Sequence, residues 1–125
     1  MADTKIFENG DKLRIVQELV PGRQITIAHI IANPDPILSQ KMGLDPKLDY
    51  THAAIGVMTI SPAETAVIAA DIAMKSSNIE LGFVDRFSGT LIITGLVADV
   101  ESSLTAVTAY FRNTLKFSVC DVTKT

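Results

Sequence analysis

Ala54-Ile55-Gly56-Val57-Met58-Thr59-Ile60-Ser61-Pro62-Ala63-Glu64-Thr65 is the stretch that decides the fold. Its first seven residues form an apolar run of strand length, and Ser61-Pro62 closes that run. Ser61 is placed to N-cap a helix, Pro62 suits a first helical turn, and Glu64 follows Ser61 at capping-box spacing. The helix expected next carries Ala66, Val67, Ala69, Ala70, Ala73 and Met74, read as small residues that let it lie close on a sheet. Ile79 to Asp85 reads as a second strand, Ser88-Gly89 as a bend, and Thr90 to Thr94 as a third strand. Strand, helix and hairpin thus follow one another almost without connecting residues.

The flanks extend the pattern. Upstream, Ile25, Ile27, His29 and Ile31 alternate with Thr26, Ala28, Ile30 and Ala32, a strand apolar on both faces that belongs inside a sheet. Asn33-Pro34-Asp35-Pro36 is a turn feeding a short helix over Ile37 to Met42, which Gly43 stops. Leu44 to His52, with Asp45-Pro46, reads as an exposed loop. Further upstream, Leu13 to Val20 is a possible strand ended by Pro21-Gly22, and Met1 to Lys12 is a polar tail expected to fray. Downstream, Val100, Leu104, Val107, Phe111 and Leu115 mark the core stripe of an amphipathic helix over Val97 to Lys116. Leu96 stands where a capping side chain is usual, and Asp99 compensates through the helix dipole. Phe117 to Val122 is expected to close the sheet.

Composition removes several classes of function. The chain of 125 residues suits one domain. A formal charge of −3 leaves no basic footprint for nucleic acid. No stretch reaches the roughly twenty apolar residues of a spanning helix, and the N-terminus has no signal-peptide pattern. A lone Cys120 fits a reducing compartment, so a cytosolic protein is expected. Apolar residues make up 47% of the chain, and a surplus beyond what a small core can hide would suggest an oligomer.

No group of residues announces catalysis. His29 sits among isoleucines with no Cys or His at metal spacing, so a hydrogen-bonded structural role outweighs a catalytic or metal one. His52 falls in the loop. Cys120 has no Cys-x-x-Cys partner and reads as a small buried hydrophobe on a strand. Asp85 and Arg86 are adjacent on a strand and point to opposite faces, which keeps them from converging on one substrate. No catalytic residue, metal ligand or cofactor is assigned.

Several motifs, taken in order, resemble one family. Ala54-Ile55-Gly56, Pro62-Ala63-Glu64-Thr65, Ile68-Ala69-Ala70-Asp71-Ile72-Ala73-Met74-Lys75 and Gly82-Phe83-Val84-Asp85-Arg86-Phe87-Ser88-Gly89 are similar to the core of bacterial microcompartment shell proteins. Val20 to Ala32 and the ending Cys120-Asp121-Val122-Thr123-Lys124 look like the circularly permuted branch, which includes the ethanolamine- and propanediol-utilisation shell proteins. The resemblance implies an α/β, circularly permuted, ferredoxin-like shell domain over residues 21–125. It implies a cyclic homohexamer that joins other shell proteins around enclosed enzymes, with no nucleic-acid or membrane partner. Asp85, Arg86, Phe87, Ser88 and Gly89 occupy the position of the loop that lines the pore on the sixfold axis; a plain hairpin turn is the alternative. Relatives have a small, glycine-rich loop there, and Arg86 and Phe87 are bulkier. Lys75 matches the lysine at the hexamer edge, with a solvated helix-end lysine as the alternative. Permuted relatives build an axial β-barrel from the segment corresponding to residues 13–20, with Leu13, Ile15, Gln17 and Leu19 facing inward; the alternative is a loose tail. The enclosed metabolism stays open among ethanolamine, propanediol and choline pathways.

Two other classes share this architecture. A ferredoxin-like regulatory module would need a loop that binds a small ligand, and a small enzyme would need converging acid, base or nucleophile groups. The chain offers no convincing example of either.

Overall fold

A computed structural model describes residues 22–44 and 53–125 of the chain. The expected tail over residues 1–12, the axial strand with Leu13, Ile15, Gln17 and Leu19, and loop residues 45–52 with His52 lie outside the described residues. The elements in chain order are β1 (Gln24–Ile31), α1 (Pro36–Lys41), β2 (Ala54–Ser61), α2 (Ala66–Ser76), β3 (Glu80–Asp85), β4 (Thr90–Gly95), α3 (Val97–Asn113), β5 (Ser118–Val119) and β6 (Thr123–Lys124). A 3₁₀ turn over Ala63–Thr65 leads into α2.

The strands form one sheet in the order β3-β4-β2-β1-β5, with β6 also pairing with β1. β2 lies between β4 and β1 and runs antiparallel to both. The near-continuous apolar run that identified it in the sequence is therefore flanked on both edges. α2 and α3 cover one face, where Met58, Ile60, Leu91, Ile93, Val100, Leu104, Val107 and Phe111 are fully or almost fully buried. Burying one such side chain contributes about 1.5–3 kcal/mol. Gly56 lets α3 approach, because a Cβ there would come within 2.9 Å of Ile93 and Val100. The other face carries a smaller cluster of Leu44, Ile55 and Ile92, joined by Ile31, Leu38, Met42 and Val57.

Four local expectations are corrected. β1 does not alternate simply: its register shifts between Ile25, opposite Ile60, and Ile27, opposite Thr59. That bulge turns Ile25, Ala28 and Ile30 into the core, while Ile27 is 46% exposed. Ser61 is not a helix cap either. Its backbone belongs to β2 opposite Gln24, a cis peptide joins it to Pro62, and α2 starts after Thr65, whose hydroxyl donates to the Pro62 carbonyl. In α2 only Ala66, Ala69, Ala70 and Ala73 are buried, whereas Val67 and Met74 face outward. Finally, α3 ends at Asn113 and the chain turns through Lys116 at φ 63°. The closing strand divides into β5 and β6, both parallel to β1, and half-buried Cys120 falls between them.

Other expectations hold. Leu96 occupies the N-cap of α3 without a side-chain hydrogen bond, and Asp99 stands in the first turn. The Phe117 ring meets Phe111 edge-on at 4.8 Å, anchoring the chain beyond α3 to the core.

Candidate functional site

The turn between β3 and β4 is held by its own residues. Asp85 Oδ1 accepts the Phe87 N–H at 2.8 Å, and Oδ2 accepts the Ser88 hydroxyl at 2.9 Å. Those bonds favour the charged form, so the Asp85 carboxyl is held below its ordinary value, mainly by the Phe87 N–H and then by Ser88. The Gly89 N–H returns to the Asp85 carbonyl at 2.8 Å, and the Gly89 carbonyl accepts the Ile60 N–H at 2.8 Å. Gly89 has φ 78°, and a Cβ there would collide with the Ile60 carbonyl, so the turn requires glycine on both counts. Its fixed geometry presents Arg86 and Phe87. The Arg86 guanidinium lies over the Phe87 ring at 5.1 Å, and Phe87 is 82% exposed.

Beside the turn is an open pocket of about 560 Å³, lined by Val67, Phe83, Val84, Asp85, Arg86 and Phe87. It joins the turn to the start of α2. Val67, Phe83 and Val84 belong to this site without a motif in the sequence that marks them. One signal was available: Val67 falls outside the stripe that Ala66, Ala69, Ala70 and Ala73 make at helical spacing.

The remaining candidates do not gather there. Lys75 stands at the other end of α2, its Nζ 2.9 Å from Asp71 Oδ2 on the solvent-exposed side. The hydrogen bond to Asp71, followed by its charge, raises the Lys75 pKa. His29 is engaged by the C-terminal strand, with Nδ1 2.6 Å from the Thr123 hydroxyl and Nε2 2.9 Å from the Thr125 hydroxyl. Both ring nitrogens are used in joining β1 to β6 and to the residue after it, the structural role expected of His29. Burial raises the Cys120 thiol pKa, which disfavours the reactive thiolate. Among the described residues, no group of three His, Cys, Asp or Glu is placed to hold a metal ion. No helix among them is long and apolar enough to cross a membrane.

Residues 54–122 match the family described as "BMC domain". The bacterial microcompartment shell protein EutS of Escherichia coli (strain K12) is 45% identical over 91% of this chain and 98% of its own length. The chain belongs to the BMC-domain family of bacterial microcompartment shell proteins. The shell protein CutR of Streptococcus intermedius is 47% identical over 95% of this chain and 98% of its own length. A solved structure described as "CutR flat hexamer, form 1" superposes with a TM-score of 0.77 at 46% identity, covering 90% of this chain and 99% of that one. The BMC match begins at β2, yet β1 precedes it in sequence and pairs directly with β2 in the sheet. That placement is the permuted arrangement expected from the motifs. Both relatives are shell proteins, a structural role rather than the ligand-binding one of a regulatory module.

Proposed function

We propose that six copies of this chain close a ring, and that rings join other shell proteins in a polyhedral shell around metabolic enzymes. The observation that carries this reading is the agreement in fold, over nine-tenths of the chain, with a shell-protein hexamer. In this reading the subunit is not an enzyme. Its work is confinement: the shell slows escape of a volatile or reactive intermediate while admitting substrates.

Within that ring, the turn of Asp85, Arg86, Phe87, Ser88 and Gly89 borders the opening on the sixfold axis. The self-contained bonding of the turn supports this assignment, because a rim must keep its shape while facing solvent. Six Arg86–Phe87 pairs would make the opening narrower and more positive than a ring of small residues. Lys75, exposed at the end of α2, is assigned to the rim where rings meet. Electron microscopy of the purified protein tests the proposal. Sheets, tubes or incorporation into shells are expected, and discrete particles under every tiling condition would overturn it.

A further inference from the structure

The segment after α3 is held unequally along its length. At its near end Phe117 is buried against Phe111, and its N–H donates to the Phe111 carbonyl at 2.9 Å. At its far end nothing is fully buried: Thr123, Lys124 and Thr125 are exposed, and Val122 packs on the core only in part. β5 and β6 have two residues each and pair with β1 alone, so no second strand backs either of them among the described residues. Strands this short gain little by themselves. The turn that leads to them passes through Lys116 at φ 63°, a left-handed conformation that a residue with a Cβ adopts at a cost.

Three kinds of contact hold the far end. The Thr125 N–H donates to the Ile30 carbonyl and the Ala32 N–H to the Thr125 carbonyl, both at 2.9 Å. Lys124 Nζ lies 3.6 Å from Glu101 Oε2, but both side chains are about half exposed, and an ion pair in water contributes little. His29 differs from these. It reaches from β1 to two hydroxyls at once, on Thr123 and Thr125, two residues apart and so on one side of an extended chain. A hydroxyl both donates and accepts, so this pair satisfies the ring whichever nitrogen carries the proton.

We infer that residues 121–125 are a strap latched by His29, which opens as a unit while the rest of the fold stays closed. When shut, the strap holds Cys120 against the core and closes the outer edge of β1. Opening would free the Ile30 carbonyl and the Ala32 N–H, part of an edge that another strand could join. It would also bare Cys120, which sits where β5 gives way to β6. The strap is a feature of the single chain and does not depend on the ring.

Cys120 is the single cysteine of the chain, so its alkylation by iodoacetamide under native conditions reads the opening. In the unmodified protein the reaction should be slower than in a short unstructured peptide carrying the sequence around Cys120. Its rate should rise only shallowly with urea, because opening the strap exposes little surface. Thr123→Val keeps the side-chain shape, removes one hydroxyl and should speed alkylation about fivefold. His29→Ala removes both bonds and should speed it about thirtyfold. Lys124→Ala should stay within about twofold of the unmodified rate. If His29→Ala fails to fold, Thr123→Val decides alone.

Alkylation that depends on urea as steeply as global unfolding, followed by circular dichroism, would overturn the strap, since the end of the chain would then open only with the whole fold. A rate in the unmodified protein equal to that of the peptide would overturn it too. Unchanged rates in His29→Ala and Thr123→Val would remove the latch. So would an acceleration by Lys124→Ala as large as that by His29→Ala, because the ion pair would then hold the strap.

Discussion

The two helices on the sheet place their hydrophobic residues in opposite ways. α3 buries most of its large ones: Val100, Leu104, Val107 and Phe111 have no exposed surface, and Tyr110 is the exception at 42%. α2 buries only alanines, at positions 66, 69, 70 and 73, and turns Val67, Ile68 and Met74 outward at about half exposure. The alanines allow close contact. Ser103 of α3 donates to the Ala73 carbonyl at 2.8 Å and lies 2.7 Å from the Ser77 hydroxyl just past α2, distances that a larger side chain between the helices would prevent. α3 is thus held mainly by contacts within the single chain, while the outward residues of α2 contribute little to that core.

That contrast can be broken by mutation. Phe111→Ala should have the largest effect, a loss of about 3–5 kcal/mol in denaturant unfolding, because it empties the core and leaves Phe117 without its ring partner. Ala73→Leu should follow at about 1–3 kcal/mol, by forcing bulk into the contact between α2 and α3. A larger loss from Ala73→Leu than from Phe111→Ala would reverse the roles given to the two helices. Lys75→Ala should leave folding and solution mass unchanged and only weaken the growth of sheets seen by electron microscopy. If the variant tiled like the unmodified protein, the rim assignment would be wrong.

Much of this fold was legible because its signals are local. The strand–helix–hairpin order over Ala54 to Gly95 follows from apolar runs and turn residues, and the stripe of α3 from its period. His29 was readable by elimination, and its two threonine partners account for it. What escaped depends on pairing across the sheet. The Ser61-Pro62-Ala63-Glu64 pattern has the spacing of a cap, but β1 claims the Ser61 backbone first. The bulge after Ile25 exists only relative to Ile60 and Thr59 on β2, so simple alternation put buried Ile25 and exposed Ile27 on one face. Val67 and Met74 were misplaced for a related reason: apolar residues on a helix look alike whether they face their own core or another copy. The pocket at the turn was hidden as well, since it joins Val67 to residues 83–87 through tertiary contact.

In the ring proposed above, apolar surface exposed on the single chain is covered by further copies of it. Light scattering on the unmodified protein at micromolar concentration separates that ring from a single chain. The expected mass is six times that of the 13.5 kDa chain, holding as salt is raised. A mass of one chain under the same conditions would contradict it.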